Sequence, residues 1–417
     1  MKANIGESIL ADAARAGAAA AKVAAEGLSD IKLAFVYSSV DYNQQELLQG
    51  IAEELPGVPL IGNTSFNGII TPRGFIASED GFVGVMAISN CAANNLGINN
   101  ATGALDNEDA DIAKPKLSSI GVAGLAKLNG DARATGRQVA LDALAAAGKC
   151  TSGKIDAPDY FYMVAPPGEE EFYLKGITDI IGRVPFFGGS AADNTISGQW
   201  LLFTNNLICA DGVAVAFFYS DAPFANYFTG AYEQSSNVGV ITKVRDNRVL
   251  VEIDGVPAVK KYAEWTGQDP KSLLGGNLLV ATITAPLGVK DRLGDLVAIR
   301  HPMNGNDDYS MNIGANLAEN TAVIQMQGSI EQLLASAKDG VTAAKAKLPV
   351  AASALHLVHC GGRLAGIGDR REELAANIIA AAGDTPFITE FTFGEYGYED
   401  DGNNSTGGLM LSFSAFA

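Results

Sequence analysis

The sequence predicts an α/β protein of mixed α+β elements, with repeated strand–helix–strand–strand modules around mixed sheets and two domains. Three observations carry this. The stretch VPLIGNTSFNG at residues 58–68 returns as VPFFGGSAADN at 184–194 and as TPFITEFTFGE at 385–395. Each copy follows an apolar run and an amphipathic segment and precedes another apolar run, so strand and helix patterns alternate. The spacing also repeats: Pro59 to Gly81 and Pro386 to Gly408 each span 22 positions, and Pro185 to Gly212 spans 27, with an insertion around Trp200.

In the first copy, IKLAFVYSS is a buried-strand run. DYNQQELLQGIAEELPG is a helix, with Asp41 as its cap and Leu47, Leu48, Ile51 and Leu55 as its apolar stripe, stopped by Pro56-Gly57. VPLIG and DGFVGVMAIS follow as strands. The second copy reads DYFYMVAPPG, EEEFYLKGITDIIG, VPFFGGS and DGVAVAFFYS in the same order. The third reads ALHLVHCGG, DRREELAANIIAAAG, TPFIT and GGLMLSFSAF. Outside the copies, the Ala-rich start carries Glu7, Asp12, Arg15, Lys22 and Glu26, which suits a surface helix and not a signal peptide. GVAGLAKLNGDARATGRQVALDALAAAG reads as helix. VGVITKVRDNRVLVEIDG reads as a hairpin, with a helix after Pro257. NLLVATITAPLGVK and residues 296–327 alternate like antiparallel strands, and SIEQLLASAKDGVTAAKAKL is a helix capped by Ser329.

At 417 residues the chain has room for two or three domains, and 47% hydrophobic with 18% charged residues is a globular balance. The net charge of −18 disfavours nucleic acid, which needs basic patches. No uninterrupted apolar run of about 20 residues exists, so no membrane insertion is expected. Cys91, Cys150, Cys209 and Cys360 are scattered, with no CxxC spacing, as suits a reducing cytoplasm.

The ligand end of a strand–helix–strand unit lies beyond the carboxyl ends of its strands. Those ends here are rich in Gly, Ser, Thr and Asn, which let backbone approach a ligand and offer adaptable hydrogen bonds. Arg363, at a strand exit, suits either a bidentate clamp on a carboxylate or an ion pair with a helix acid such as Glu372. Glu395 suits either an ammonium group or solvent. Cys360 stands before a helix, but His359 alternates to the opposite face and His356 lies about 13 Å back at strand rise, so no base serves it. His301, His356 and His359 form no helical metal pair, so no metal site is expected.

VPLIGNTS, CGGR at 360–363 and FTFGEYG at 391–397 resemble a FIST protein, with an N-terminal FIST domain at 1–225 and a C-terminal one at 226–417. The resemblance runs from Ile31 to Phe413. It implies a small-ligand sensory module of bacterial signal transduction, with amino acids as proposed ligands. Some relatives bind haem and respond to nitric oxide. The family's last loop usually carries a His-Asn pair, whereas this chain has DGNNSTGG, so no haem or other cofactor is expected. The resemblance tips Arg363 and Glu395 toward a ligand. The expected pocket is lined by Asn63, Thr64, Ser65, Gly189, Ser190, Cys360, Arg363 and Glu395. The expectation is a non-enzymatic, cytoplasmic, stand-alone sensor of a small polar molecule. It would act through a separate signalling output protein, such as a kinase, cyclase or chemotaxis protein. The alternatives are a haem-based sensor with His359 as axial ligand and an enzyme with Cys360 as nucleophile.

Overall fold

A computed structural model describes residues 1–92, 117–151, 154–290, 294–400 and 402–417; the side chain of Cys91 lies outside the described residues. The three sequence copies fold alike. In each, a central strand lies parallel to the next strand across a helix: Leu28–Ser38 with Leu60–Thr64, Tyr160–Ala165 with Phe186–Ser190, and Ala354–Cys360 with Phe387–Thr392. On its other side each central strand takes an antiparallel neighbour, Val83–Ala92, Gly212–Ser220 or Leu411–Phe416. A further antiparallel strand closes each edge: Lys2–Ser8, Leu117–Ala126 or Phe224–Thr229.

The modules are completed by exchange. The first sheet ends in the hairpin Leu202–Thr204 and Leu207–Cys209, which belongs to the second module. The second sheet ends in Glu395–Tyr398 and Asn404–Gly407, from the third. The third ends in Ile69–Thr71 and Gly74–Ile76, from the first. Three six-stranded mixed sheets thus hold one another in a ring with approximate three-fold symmetry.

Alternation along the strands assigns the faces. Ala34 and Val36 pack under the helices Ala13–Ala25 and Gln44–Glu54, whereas Leu33, Phe35 and Tyr37 join a core shared by all three modules. The helix pairs cross closely because glycine sits at the crossing. A Cβ on Gly50 would lie 2.0 Å from the Ala14 carbonyl, and one on Gly176, at the equivalent place in Glu170–Ile181, 2.1 Å from that of Arg133. The ring's centre is marked by Phe35, Tyr162 and His356, which occupy equivalent positions. Their ring centroids stand 5.1 Å (Phe35–Tyr162), 4.8 Å (Phe35–His356) and 5.4 Å (Tyr162–His356) apart.

Between Phe224–Thr229 and the helix Ile330–Ala346, the third module carries an inserted unit with its own eight-stranded sheet, running from Glu233–Arg245 to Ala322–Gln327. The expected hairpin there, the helix Ala258–Thr266 and the Ser329 cap are all present.

Four local expectations are corrected. The start of the chain is an edge strand, Lys2–Ser8, before a helix buried along one face, because small alanines let that helix lie close to its neighbour. GVAGLA lies in the strand Leu117–Ala126, with the helix beginning after Asp131. NLLVA is a short helix, Asn277–Ala281, packed on the inserted sheet. Asn43, not Asp41, caps Gln44–Glu54, since Asp41 is engaged by Ser39 and Asn194. Among the described residues no helix is long and apolar enough to cross a membrane.

Candidate functional site

Where the strand ends of the ring meet the inserted unit, a cavity of about 260 Å³ opens. The first module supplies Phe66. The second supplies Pro167, Gly168, Ile196 and Trp200, and the third Cys360, Gly361, Gly362, Ala365 and Phe393. The inserted unit supplies Arg248, Leu279, His301, Met303 and Gly314. Phe393 is the centre of an aromatic wall, with ring centroids 5.4 Å from Phe66 and 6.2 Å from Trp200. Close backbone matters on the opposite side. A Cβ on Gly362 would stand 3.0 Å from Leu409 Cδ2, 3.5 Å from Cys360 Sγ and 3.6 Å from His301 Cε1.

Ile196 sits at the rim, half exposed, with φ of 57°, a left-handed conformation costly for a β-branched residue. Buried Asp193 holds that loop in place. Its carboxylate accepts from the backbone N–H of Thr195 at 2.9 Å, Ser197 at 3.0 Å and Gln199 at 2.8 Å.

The polar groups of the cavity are few. Arg248 Nη2 pairs with Glu170 at 2.9 Å and Glu171 at 2.5 Å, Nε donates to Asn316 Oδ1 at 3.1 Å, and Nη1 donates to the Gly314 carbonyl at 3.2 Å. Burial and the neighbouring Glu171 raise the Glu170 carboxyl to about 7, against the pull of Arg248. Burial lowers His301 to about 4, so it is neutral at pH 7, with Nε2 3.2 Å from the Leu279 carbonyl.

Below the cavity lies a sealed polar cluster on the ring's axis that sequence reasoning missed. Tyr37, Asn63, Tyr162, His356 and Glu390 are all fully buried. Asn63 Nδ2 donates to Glu390 Oε2 at 2.8 Å. Tyr162 OH lies 3.1 Å from Asn63 Oδ1 and 3.3 Å from Glu390 Oε1, and Tyr37 OH bonds His356 Nε2. Burial pushes Glu390 up to about 8 and His356 down to about 3, so the cluster is uncharged at neutral pH. A signal for it exists in the sequence. Aligning the copies on Pro59, Pro185 and Pro386 puts Asn63, Gly189 and Glu390 in one column, where a strand interior would otherwise be apolar.

Of the eight expected pocket residues, only Cys360 lines the cavity. The others join modules or fill the core. Thr64 Oγ1 accepts from the Leu201 N–H at 2.9 Å, and Ser65 Oγ accepts from the Phe391 N–H at 2.9 Å. Gly189 pairs with Glu395 across the exchanged hairpin, and Ser190 Oγ bonds Tyr396 OH at 2.7 Å. Asn63 belongs to the axial cluster. Arg363 is fully buried, its guanidinium held by the carbonyls of Gly230 (2.7 Å), Leu409 (3.2 Å) and Leu333 (3.3 Å) and by Ser336 Oγ. Glu395 accepts from Thr392 Oγ1 at 2.9 Å and the Met410 N–H at 2.8 Å. The expected carboxylate–ammonium clamp is therefore replaced by internal contacts: the carbonyls and hydroxyl of its own module take up Arg363, and Glu395 is held within the exchanged hairpin and by the Met410 N–H.

The residues do not fit a haem. His356 and His359 are sealed in the core away from the cavity, and His301, which does line it, faces a carbonyl. The Cys360 thiol is pushed well up by burial and by Glu395, the reverse of an activated nucleophile. Iodoacetamide at pH 8 is therefore expected to alkylate exposed Cys150 at least about tenfold faster than Cys360. Peptide mass mapping over time checks this, and equal rates would show an accessible thiolate at Cys360.

Comparison with known families matches the FIST N domain to residues 32–256 and the FIST C domain to residues 258–398. No curated protein matches the chain. Among solved structures, a cyanuric acid hydrolase described as an evolutionary innovation by structural concatenation shares 10% identity. It covers 100% of this chain and 99% of its own, with a TM-score of 0.34. Phosphoribosylformylglycinamidine synthase II from Thermotoga maritima shares 10% identity, covering 100% of this chain and 72% of its own, with a TM-score of 0.23. At such scores these likenesses say nothing about this chain's activity.

Proposed function

The chain belongs to the FIST family, a family associated with sensing in signal transduction, and from that premise we propose that it binds one small, largely apolar molecule in the cavity between the ring and the inserted unit. The observation that carries this is the composition of the walls. Phe66, Trp200, Phe393, Leu279 and Met303 offer an apolar bed, with Arg248 and neutral His301 as the side chains able to orient a polar end. An amino acid with an aromatic or branched side chain, or a similar weak acid, has this division of apolar body and polar head.

Arg248 also suggests how binding is read. It forms the ion pairs that, among the described residues, tie the inserted unit to the second module. A ligand carboxylate competing for that guanidinium loosens the tie and shifts the inserted unit, which a separate output protein then recognises. Binding without catalysis is the reading favoured here, since burial keeps the thiol in the cavity protonated and the acid beside it, Glu395, is itself raised to about 8 and holds its proton at neutral pH.

The experiment is native mass spectrometry of the gently purified protein beside Gly362→Val. The valine side chain grows into the space between Leu409, Cys360 and His301. The wild type is expected to carry a small molecule and the variant, folded by circular dichroism, to lose at least about 90% of it, as a cost of roughly 1.4 kcal/mol or more implies. A ligand retained undiminished by Gly362→Val places binding elsewhere.

A further inference from the structure

A second concavity, of about 390 Å³, lies between the helix Glu170–Ile181 and the exchanged strand Asn404–Gly407. It is lined by Lys175, Arg183 and Arg300, and none of the three forms an ion pair among the described residues. Each is short of acceptors. Arg300 Nη1 donates to the Thr406 carbonyl at 2.9 Å and the Ile299 carbonyl at 3.3 Å, but its buried Nε has no partner among the described residues. Among the described residues Arg183 donates to the Glu399 carbonyl alone, and Lys175 stands exposed. The acid in the groove, Glu171, is occupied by Arg248, by the Asn316 N–H at 2.9 Å and by the Thr406 hydroxyl at 3.2 Å.

Beside these cations is one buried acceptor without a donor. Asn404 Nδ2 donates to the Val184 carbonyl at 2.8 Å, which fixes the amide and leaves Oδ1 unpaired. In a chain of net charge −18, three cations that form no ion pair among the described residues, around a groove whose one acid is already engaged by Arg248, make a local positive field. A buried guanidinium N–H calls for an anionic acceptor, and the planar fork suits the oxygens of a phosphate.

We propose that this groove binds a small phosphate monoester carrying a hydroxyl group. The phosphate oxygens accept from Arg300 Nε, Lys175 Nζ and Arg183, and the hydroxyl donates to Asn404 Oδ1. This site is separate from the apolar cavity, so its test is independent of the sensory reading.

The test is calorimetric titration of the full chain at low salt with glycerol 3-phosphate and with inorganic phosphate. Glycerol 3-phosphate is expected to bind more tightly, and both affinities to fall as salt is added. Lys175→Met and Arg300→Met are each expected to weaken binding about tenfold or more. Lys175 is exposed, so its variant remains informative if Arg300→Met fails to fold. Absence of binding at millimolar probe, or unchanged affinity in Lys175→Met, overturns the site. Equal affinity for the two probes overturns the hydroxyl contact with Asn404.

Discussion

Replacing Arg363 by alanine is expected to lower the free energy of unfolding by about 3–5 kcal/mol. The guanidinium gathers the Gly230 carbonyl at the end of one strand, Leu333 and Ser336 on the helix Ile330–Ala346, and the Leu409 carbonyl before the last strand. Removing it leaves these acceptors unpaired and a void beside Tyr232, whose ring lies 5.8 Å from the guanidinium carbon. Lysine does not repair this, because a compact ammonium cannot span the same fork of acceptors. Urea unfolding of wild type, Arg363→Ala and Arg363→Lys measures it. A ligand clamp predicts the opposite pattern, near-native stability with weakened binding, and that result would return Arg363 to the binding site.

The difference between those readings shows what the sequence makes legible. The three copies were visible because strand and helix periods, turn residues and spacing are local properties. Their consequence, the cyclic exchange of hairpins, is not local. Ser65 meets Phe391, Gly189 meets Glu395 and Thr64 meets Leu201, and nothing near any of these residues announces its distant partner. A small hydroxyl residue at a strand end looks the same whether it waits for a ligand or pins a neighbouring module. The cavity itself was hidden for the same reason, since Arg248, His301 and Met303 come from an inserted unit that read simply as antiparallel strands. Cys360 was found because the exit of a central strand is a local feature that really does face the cavity. The axial cluster was within reach, but only by comparing the copies with one another instead of reading each loop alone.

Glu390 in that cluster and buried acids outside it set the protein's response to alkali. Glu390 is raised to about 8 by burial, and Glu395 likewise to about 8, from an ordinary 4.5 in the unfolded chain. Over the interval between those values the folded state holds protons that the unfolded state has released, so stability falls as pH rises. The three buried histidines act in the other direction. Their folded values, about 3 for His356 and His359 and about 4 for His301, lie below the ordinary 6.5, so they cost stability as pH drops below that point. The two effects oppose one another on the acid side, and from about pH 6.5 to about pH 8 the carboxyls dominate. Glu170, raised to about 7, adds a third such carboxyl, so the three acids and three histidines cancel between about pH 4.5 and 6.5, and stability is expected to be level up to about pH 6.5 and to decline toward pH 8. Glu390→Gln isolates one share of that decline. A glutamine is a neutral stand-in for the protonated acid and still accepts from Asn63 Nδ2. The variant is expected to gain on the wild type by about 1.4 kcal/mol for each pH unit across the window. Urea unfolding of both proteins at several pH values between 6 and 8 gives the difference. A constant difference would mean that Glu390 is already ionised in the folded protein, with its charge stabilised at the ring's centre by Asn63 and Tyr162.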